Sequence, residues 1–308
     1  MKILRRTAEL AQWSGAYRAA ALSVGFVPTL GGLHEGHLSL VRQARLECDR
    51  VVVSIYLNPA QFDAASDLER YPGDLERDLD ACREVGADIV LVGERTDFLP
   101  EGFESWVFVE DLTRKLCGVG RPGHFKGVCT VVAQLFHVVR PHRAYFGLKD
   151  YQQAKVVSKM AAELLFDVEI RLMPTVRSAD GLALSSRNER LTESQRDAAT
   201  AIWESLQAAR ELITGGETSV DALKESLAGL FENTGGCDLE YAEILAADTL
   251  RDFPGGLLST AGEGVLVALA VRFGDVRLID NIQVTEADVA ARVPGPMEEA
   301  GLEIDGGS

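Results

Sequence analysis

Short apolar segments alternate with longer segments of helical periodicity through the first half of the chain. The short segments are rich in β-branched and aromatic residues and lie at 23–27, 51–57, 88–92, 143–146 and 168–173. Apolar residues recur at helical spacing near 36–48, 74–86, 127–140 and 150–165. Short strands that alternate with helices are typical of a parallel sheet covered on both faces. The sequence therefore predicts an α/β fold with a doubly wound, Rossmann-like sheet that binds ligands at the carboxyl ends of its strands.

The pattern changes after about residue 180. Helices are predicted near 193–214 and 218–232, and strands near 238–246, 264–271 and 276–283. We therefore predict a Rossmann-like domain at 1–183 and a smaller α+β domain at 184–284 that forms a lid over the site. Residues 285–308 form an acidic tail that is predicted to be disordered.

Composition excludes several classes of partner. The formal net charge of −16 opposes binding to nucleic acid, because phosphate contacts need a basic face. No apolar run approaches the ~18 residues that a membrane span needs, and the N-terminus has no apolar export signal. The five cysteines form no CxxC pair, which indicates reduced thiols and a cytoplasmic location. Any anionic substrate must therefore meet a local cluster of positive groups.

A glycine-rich turn, PTLGGLHEGH (28–37), carries two of the five histidines. His34 and His37 follow a predicted strand, stand at the start of a predicted helix and are spaced to face one side. Glycines let a ligand approach the backbone, and a helix N-terminus offers N–H groups to phosphate. The pair is therefore predicted to bind nucleotide phosphates. Zinc binding is a weaker alternative, because no HExxH pattern or cysteine set accompanies the histidines. A second alternative is that the two histidines lie in the turn without a function.

Two further polar motifs also follow predicted strands. In FGLKDYQQ (146–153), Lys149 offers a point charge to phosphates, and Asp150 either caps a helix or lies near a magnesium ion. In VRSADGLALSSRN (176–188), two serines and Arg187 are placed to close over a triphosphate. Each motif alone is typical of a solvated turn or linker. Together they predict a positive cluster formed by His34, His37, Lys149 and Arg187.

Two glutamines complete the predicted site. Gln61 lies in LNPAQF (57–62) at the end of the second predicted strand, and Gln153 lies one turn into the helix after Asp150. Neutral amides suit a small substrate that carries hydroxyls and a carboxylate. Ordinary surface glutamines are the alternative when each is taken alone.

In this order, the motifs resemble those of the pantoate–β-alanine ligases, which belong to the HxGH-containing nucleotidyltransferase superfamily. RYP (70–72), RPGHFKGVCTVV (121–132) and RLIDNI (277–282) match as well, so the resemblance covers nearly the whole chain before the tail. It implies an ATP-dependent ligase of pantothenate biosynthesis, a route to coenzyme A. In this family, (R)-pantoate and β-alanine condense to pantothenate, AMP and pyrophosphate through an enzyme-bound pantoyl adenylate. It further implies a cytoplasmic homodimer that takes ATP as its Mg²⁺ complex, with the metal held mainly by the phosphates and no tightly bound prosthetic group.

The resemblance also implies roles for individual residues. His37 is the expected catalytic histidine, assisted by His34, Lys149 and Arg187, and Gln61 and Gln153 are expected to hold pantoate. The expected ATP site consists of Leu30, Gly31, Gly32, His34, His37, Gly147, Leu148, Lys149, Asp150, Val176, Leu184, Ser185, Ser186 and Arg187.

Six positions depart from the family pattern. Leu30 and Leu184 stand where the family usually has methionine, a change of similar size in the predicted adenine wall. The other four are Ala60, Gly73, Gln134 and Leu148. They leave open a paralogous adenylate-forming amide ligase that acts on a different hydroxy acid or amine. Two other classes remain as alternatives. A plain nucleotidyltransferase would keep the nucleotidyl group in its product, and a nucleotide sensor would bind without releasing pyrophosphate.

Overall fold

The computed structural model describes residues 1–62, 68–232 and 234–292, and its larger part is built on a six-stranded parallel sheet. The strands of this sheet are β1 (Lys2–Leu4), β2 (Val24–Thr29), β3 (Arg50–Ile55), β4 (Ile89–Val92), β5 (Arg143–Gly147) and β6 (Glu169–Met173). Their spatial order is β1-β4-β3-β2-β5-β6. The predicted doubly wound parallel sheet is confirmed.

Helices cover both faces of this sheet and continue into the second half of the chain. In chain order they are α1 (Thr7–Ala19), α2 (Glu35–Glu47), α3 (Leu75–Glu84), α4 (Arg95–Phe98), α5 (Cys117–Gly120), α6 (His124–Val139), α7 (Tyr151–Glu163), α8 (Glu193–Ala198), α9 (Thr200–Thr214), α10 (Val220–Glu232) and α11 (Glu286–Arg292). One face packs against α1, α6 and α7. The other face packs against α2 and α3. Short 3-10 helices lie at Pro59–Gln61, Asp111–Thr113, Leu148–Asp150, Ser186–Arg190 and Pro254–Gly256.

The strand order creates a switch point between β2 and β5. These strands are neighbours, but β2 continues through α2 to β3 on one side, whereas β5 continues through α7 to β6 on the other. The loops that follow the two strands therefore diverge, and a crevice opens at their carboxyl ends. Both predicted phosphate-binding motifs, the histidine turn and the Lys149 loop, start at this crevice.

A smaller antiparallel sheet follows, formed by β7 (Asp238–Ala246), β8 (Val265–Phe273) and β9 (Val276–Val284). Helices α9 and α10 pack on one face of this sheet and form a second core with it. On the other face, Leu245, Leu266 and Ala268 join the main core. The predicted α+β character of this part of the chain is confirmed.

Several details differ from the sequence prediction, among them the single-turn helices α4 and α5, which were not predicted. Strand β1 and helix α1 were not predicted, because β1 has only three residues and α1 lacks a continuous apolar stripe. The helix predicted at 193–214 is divided at Ala199 into α8 and α9.

The predicted disordered tail begins as ordered structure. Helix α11 starts after Thr285, whose backbone N–H donates to the Asp288 carboxylate while the Asp288 N–H is directed at the Thr285 hydroxyl. Arg210 from α9 pairs with Asp288 and holds this helix against the smaller domain. The remaining predicted tail, 293–308, lies outside the described residues.

Within the described ranges, no helix is both long and apolar enough to cross a membrane.

Candidate active site

A cavity of about 560 Å³ lies between the carboxyl edge of the parallel sheet and the smaller sheet. Most predicted site residues line it, namely Leu30, His34, His37, Gln61, Gly147, Lys149, Asp150, Gln153, Val176, Leu184, Ser185, Ser186 and Arg187. Residues 278–281 of β9 form part of the opposite wall. The structure thus brings three motifs that are far apart in sequence to one space.

Gly31, Gly32 and Leu148, which also belong to the predicted ATP site, are not among the described residues that line the cavity. Leu148 packs against the main core. The two glycines instead shape the turn, since both have positive φ (91° and 63°). A Cβ on Gly32 would lie 2.4 Å from the carbonyl oxygen of Pro72, so a larger residue cannot fit without moving the backbone.

Asp78, which the sequence analysis did not assign, holds this turn through two hydrogen bonds to its backbone. Its carboxylate accepts from the backbone N–H groups of Gly32 (2.8 Å) and Leu33 (2.7 Å). Asp78 belongs to α3 and is buried. Burial raises the pKa of Asp78, against the opposing effect of the two N–H donors. A carboxylate in this place orders the backbone that presents the two histidines.

The two imidazoles are neutral hydrogen-bonding groups. His34 is the N-cap of α2, and its Nδ1 accepts from the Gly36 N–H at 3.1 Å. The Nδ1 atom of His37 accepts from the His34 N–H at 3.4 Å, and the ring centroids are 4.1 Å apart. Since Nδ1 is the acceptor in both rings, each neutral imidazole carries its proton on Nε2. Both rings therefore present an Nε2–H donor.

The expectation that both histidines add positive charge to the cluster is wrong for this structure. Burial, reinforced by the charge of Lys149, lowers the pKa of His34 to about 4. Burial, reinforced by His34, lowers the pKa of His37 to about 3. Two half-buried imidazoles in contact, beside a lysine, are more stable as neutral rings. The positive charge of the predicted cluster thus comes from Lys149 and Arg187.

Lys149 and Asp150 lie where β5 ends and α7 begins. The Lys149 Nζ is 3.8 Å from a carboxylate oxygen of Asp150. Burial raises the pKa of Asp150, but Lys149 and Arg187 lower it more, and the carboxyl titrates below its usual range. Asp150 makes no capping hydrogen bond to α7, so the capping role is wrong, and its carboxylate faces the cavity.

The serine and arginine motif meets the histidine turn through Tyr71, which the sequence analysis did not select. The Ser186 hydroxyl donates to the Tyr71 hydroxyl (3.4 Å), which donates to the carbonyl oxygen of Gly31 (3.3 Å). The Arg187 guanidinium lies 5.8 Å from the centre of the Tyr71 ring. The RYP segment (70–72) was the available sequence signal for Tyr71. A tyrosine before a proline does not, however, reveal which loops its hydroxyl contacts.

Gln61 is buried in the cavity wall, and its side chain is oriented by a neighbour. Its Oε1 accepts from Asn58 Nδ2 at 3.2 Å, and Asn58 Nδ2 also donates to the carbonyl oxygen of Gly127. Its backbone carbonyl accepts from Arg121 and from His124 Nδ1. Because Oε1 is engaged, the amide N–H groups of Gln61 are the donors offered to a substrate oxygen.

Comparisons with known proteins agree with one another. The family model for pantoate-β-alanine ligase matches residues 2–283. A pantothenate synthetase from Moorella thermoacetica is 46% identical over 282 residues, which cover 92% of this chain and 98% of that protein. The chain belongs to the pantoate–β-alanine ligase family.

Solved structures of this family share the fold. A pantothenate synthetase from Thermus thermophilus superposes with a TM-score of 0.84 at 42% identity, covering 92% of this chain and all of that one. A pantoate-β-alanine ligase from Francisella tularensis, complexed with β-γ ATP and β-alanine, superposes with a TM-score of 0.76 at 30% identity. It covers 92% of this chain and 97% of its own.

Of the six departures from the family pattern, Leu30 and Leu184 line the cavity, whereas the other four are not among the described residues that line it. Ala60 and Leu148 pack against the main core. The Gln134 amide donates to the carbonyl oxygen of Phe98 at 2.9 Å, on the covered face of the sheet. Gly73 lies beside the turn, and a Cβ there would meet no atom within 4 Å. The departures that reach the described cavity lining are thus the two exchanges between side chains of similar size.

Among the described residues, no group of three or more His, Cys, Asp or Glu side chains is arranged to hold a metal ion. Asp150 is the predicted site carboxylate that faces the cavity.

Proposed function

We propose that this protein condenses pantoate with β-alanine to give pantothenate, driven by ATP. The observation that carries the proposal is the single cavity shared by the histidine turn, the Lys149 loop, the Arg187 loop and two glutamines, in a chain of the ligase family. The relative from Francisella tularensis, complexed with β-γ ATP and β-alanine, supports both the nucleotide and the amine.

In the first step, a carboxylate oxygen of pantoate attacks the α-phosphorus of ATP, and the bond to pyrophosphate breaks. The product is a pantoyl adenylate held in the cavity. Lys149 and Arg187 offset the charge on the phosphates, and the Nε2–H groups of His34 and His37 donate to phosphate oxygens. Donors fixed in place act mainly by positioning and by electrostatic stabilisation of the developing charge.

In the second step, the amine of β-alanine attacks the acyl carbon of the adenylate. The bond from that carbon to the bridging oxygen breaks, AMP leaves, and the nitrogen loses a proton as the amide forms. Gln61 and Gln153 hold the pantoyl group through its hydroxyls and carbonyl. Enclosure between the two sheets keeps water from hydrolysing the adenylate.

ATP enters this scheme as its Mg²⁺ complex, with the metal bound mainly by the phosphates. Asp150 is the carboxylate placed to approach that ion, because it faces the cavity beside Lys149 and its low pKa keeps it ionised. Carboxylate oxygens suit a hard cation such as Mg²⁺.

We further propose a cytoplasmic homodimer in which residues 184–284 act as a lid. The thiols of all five cysteines are free, which suits a reducing compartment. The dimer rests on the family resemblance, and light scattering on the purified protein tests it. The lid is supported by the β9 residues in the cavity wall.

The test is product formation from MgATP and D-pantoate, first alone and then with β-alanine. We expect pyrophosphate on the order of one per site with pantoate alone, because the adenylate stays bound. Adding β-alanine should give continuous AMP and pantothenate. No pyrophosphate with pantoate would contradict the proposal, and a panel of other hydroxy acids and amines would then identify a paralogous ligase. Nucleotide binding without any pyrophosphate would indicate a sensor, and a product that retains AMP would indicate a nucleotidyltransferase.

A further inference from the structure

Asn281 connects the smaller sheet to the loop that carries Lys149. It belongs to β9, is 9% exposed, and lies in the cavity wall. Its Nδ2 donates to two consecutive backbone carbonyls, those of Leu148 (3.0 Å) and Lys149 (2.9 Å). One side-chain amide from another sheet therefore fixes two of the three carbonyls of the 3-10 turn from which the Lys149 side chain extends.

Asn281 is itself held by a buried ion pair. Its backbone N–H donates to Asp280 Oδ1 at 2.8 Å, and the same carboxylate accepts from Arg177. The Asp280 residue is only 2% exposed, and the Arg177 guanidinium lies 3.9 Å from the centre of the Trp203 ring. A charged and stacked support of this kind leaves the Asn281 amide little freedom to turn away from the Lys149 loop.

The Lys149 loop needs such a support. Residues 148–150 form a single 3-10 turn after β5, and neither this turn nor the start of α7 has a side-chain cap of its own. A lysine has a long stem with several rotatable bonds, so a displacement of its backbone moves its ammonium group away from any fixed target.

We infer that Asn281 is a positioning residue that places Lys149 against the phosphates of the bound nucleotide. It acts through Lys149 and touches no reacting atom. The inference rests on the proposed function, in which Lys149 binds the phosphates of ATP. The contact between Asn281 and the loop is observed in the structure.

A double-mutant cycle between Asn281 and Lys149 tests this role. Asn281→Ala removes two hydrogen bonds, so we expect pantoate-dependent pyrophosphate release in a single turnover to fall by about 10- to 30-fold. The KM values for pantoate and β-alanine should stay within about twofold of the wild-type values, because the Asn281 amide donates to the Leu148 and Lys149 carbonyls and not to the glutamines that hold pantoate. In a Lys149→Ala background, the same substitution should reduce the rate by less than twofold.

A binding measurement makes the test independent of turnover. Calorimetry measures the affinity for a non-hydrolysable ATP analogue. We expect the analogue to bind more weakly to Asn281→Ala and to Lys149→Ala than to the wild type. The double variant should bind it no more weakly than Lys149→Ala does. If the wild type binds the analogue but gives no pyrophosphate with pantoate, the proposed function fails, and the binding cycle still decides the role of Asn281. Losses that multiply in the double variant, or an Asn281→Ala protein with wild-type rate and affinity, would overturn the inference.

Two further variants guard against a general folding defect. Asn281→Asp preserves the size of the side chain but places a carboxylate against two carbonyls, so it should lose at least as much activity as Asn281→Ala. Gln283→Ala removes an exposed amide from the same strand, one that donates to the carbonyl oxygen of Glu263, and should behave as wild type. A Gln283→Ala protein as impaired as Asn281→Ala would show that any damage to β9 is sufficient and would overturn the specific role of Asn281.

Discussion

At the scale of single residues, the imidazole rings of His34 and His37 are neutral near pH 7, because the pKa of each is lowered. Each Nδ1 accepts from the backbone at the start of α2, and each Nε2 is left as a donor to the cavity. The sequence indicated where the pair would stand but not its charge. Burial by segments remote in the chain sets the pKa of each imidazole, and no local pattern records it.

Replacing His37 removes one donor to the phosphates. A hydrogen bond to a charged group is worth roughly 1.5–3 kcal/mol, so His37→Ala should slow adenylation by at least about 10- to 150-fold. His37→Gln should be similarly impaired. A glutamine amide cannot accept from the His34 N–H and at the same time donate to the cavity in the direction of the Nε2–H. His137→Gln, at an exposed position on α6, is the matched control. Full activity in His37→Ala with an unchanged melting temperature would refute its assigned role.

The lowered histidine pKa values also predict a pH dependence of stability. The unfolded imidazoles titrate near 6.5, whereas the folded ones titrate at about 4 and 3. Between these values the unfolded chain binds protons that the folded chain does not. The free energy of unfolding should therefore fall as the pH drops from 6.5 toward 4, by at most about 1.4 kcal/mol per pH unit for each histidine. Urea unfolding at pH 7.5 and pH 5 should show a smaller decrease in His37→Gln than in the wild type, and equal decreases would contradict the shifted pKa.

At the scale of secondary-structure elements, the site depends on how loops are tied to neighbouring helices. Helix α3 supports the histidine turn through Asp78, which is 46 positions away from Gly32 in sequence. The strands β2 to β6 and the long helices α2, α3, α6 and α7 could be predicted, because their apolar periodicity is local. Asp78 and Tyr71 could not, because their function lies in contacts that only the folded chain brings together.

Removing the charge from Asp78 should loosen the turn. Asp78→Asn keeps the shape of the side chain but places an NH₂ group against two N–H donors, so we expect about 1–3 kcal/mol lower stability. The rate of adenylation should fall as well, because the two histidines lose their support. Asp80→Asn on the same helix, where the carboxylate is exposed and pairs with Arg83, provides the control. Equal melting temperatures and rates for the two variants would show that the turn does not depend on Asp78.

At the scale of the whole molecule, two sheets share one cavity and one core. Leu245, Leu266 and Ala268 bring the smaller sheet into the main core, and Asp280 pairs with Arg177 at the junction. The sequence predicted the parallel sheet, the smaller α+β part and the position of the polar motifs at the carboxyl ends of the strands. It did not predict that β9 would support the Lys149 loop, because the RLIDNI segment reads as an ordinary strand.

Breaking the Asp280–Arg177 pair should destabilise this junction. The Asp280 side chain is 1% exposed and that of Arg177 is 16% exposed, so Asp280→Ala leaves a poorly solvated charge, and we expect a loss of about 3–5 kcal/mol. Asp248→Ala breaks a more exposed pair with Lys155 between the same two parts of the chain, and should cost about 1 kcal/mol or less. Denaturant unfolding followed by tryptophan fluorescence and by circular dichroism measures both. Similar losses in the two variants would argue against a special role for the buried pair.

In the proposed mechanism, the carboxylate of pantoate joins the α-phosphate of ATP within one cavity before the amide forms. Pantoate labelled with ¹⁸O in both carboxyl oxygens tests this directly, with mass spectrometry of the products after turnover with unlabelled ATP and β-alanine. We expect one ¹⁸O atom in AMP and one in the carbonyl of pantothenate, because the bridging oxygen of the adenylate leaves with AMP. Unlabelled AMP, or ¹⁸O in pyrophosphate or phosphate, would contradict it.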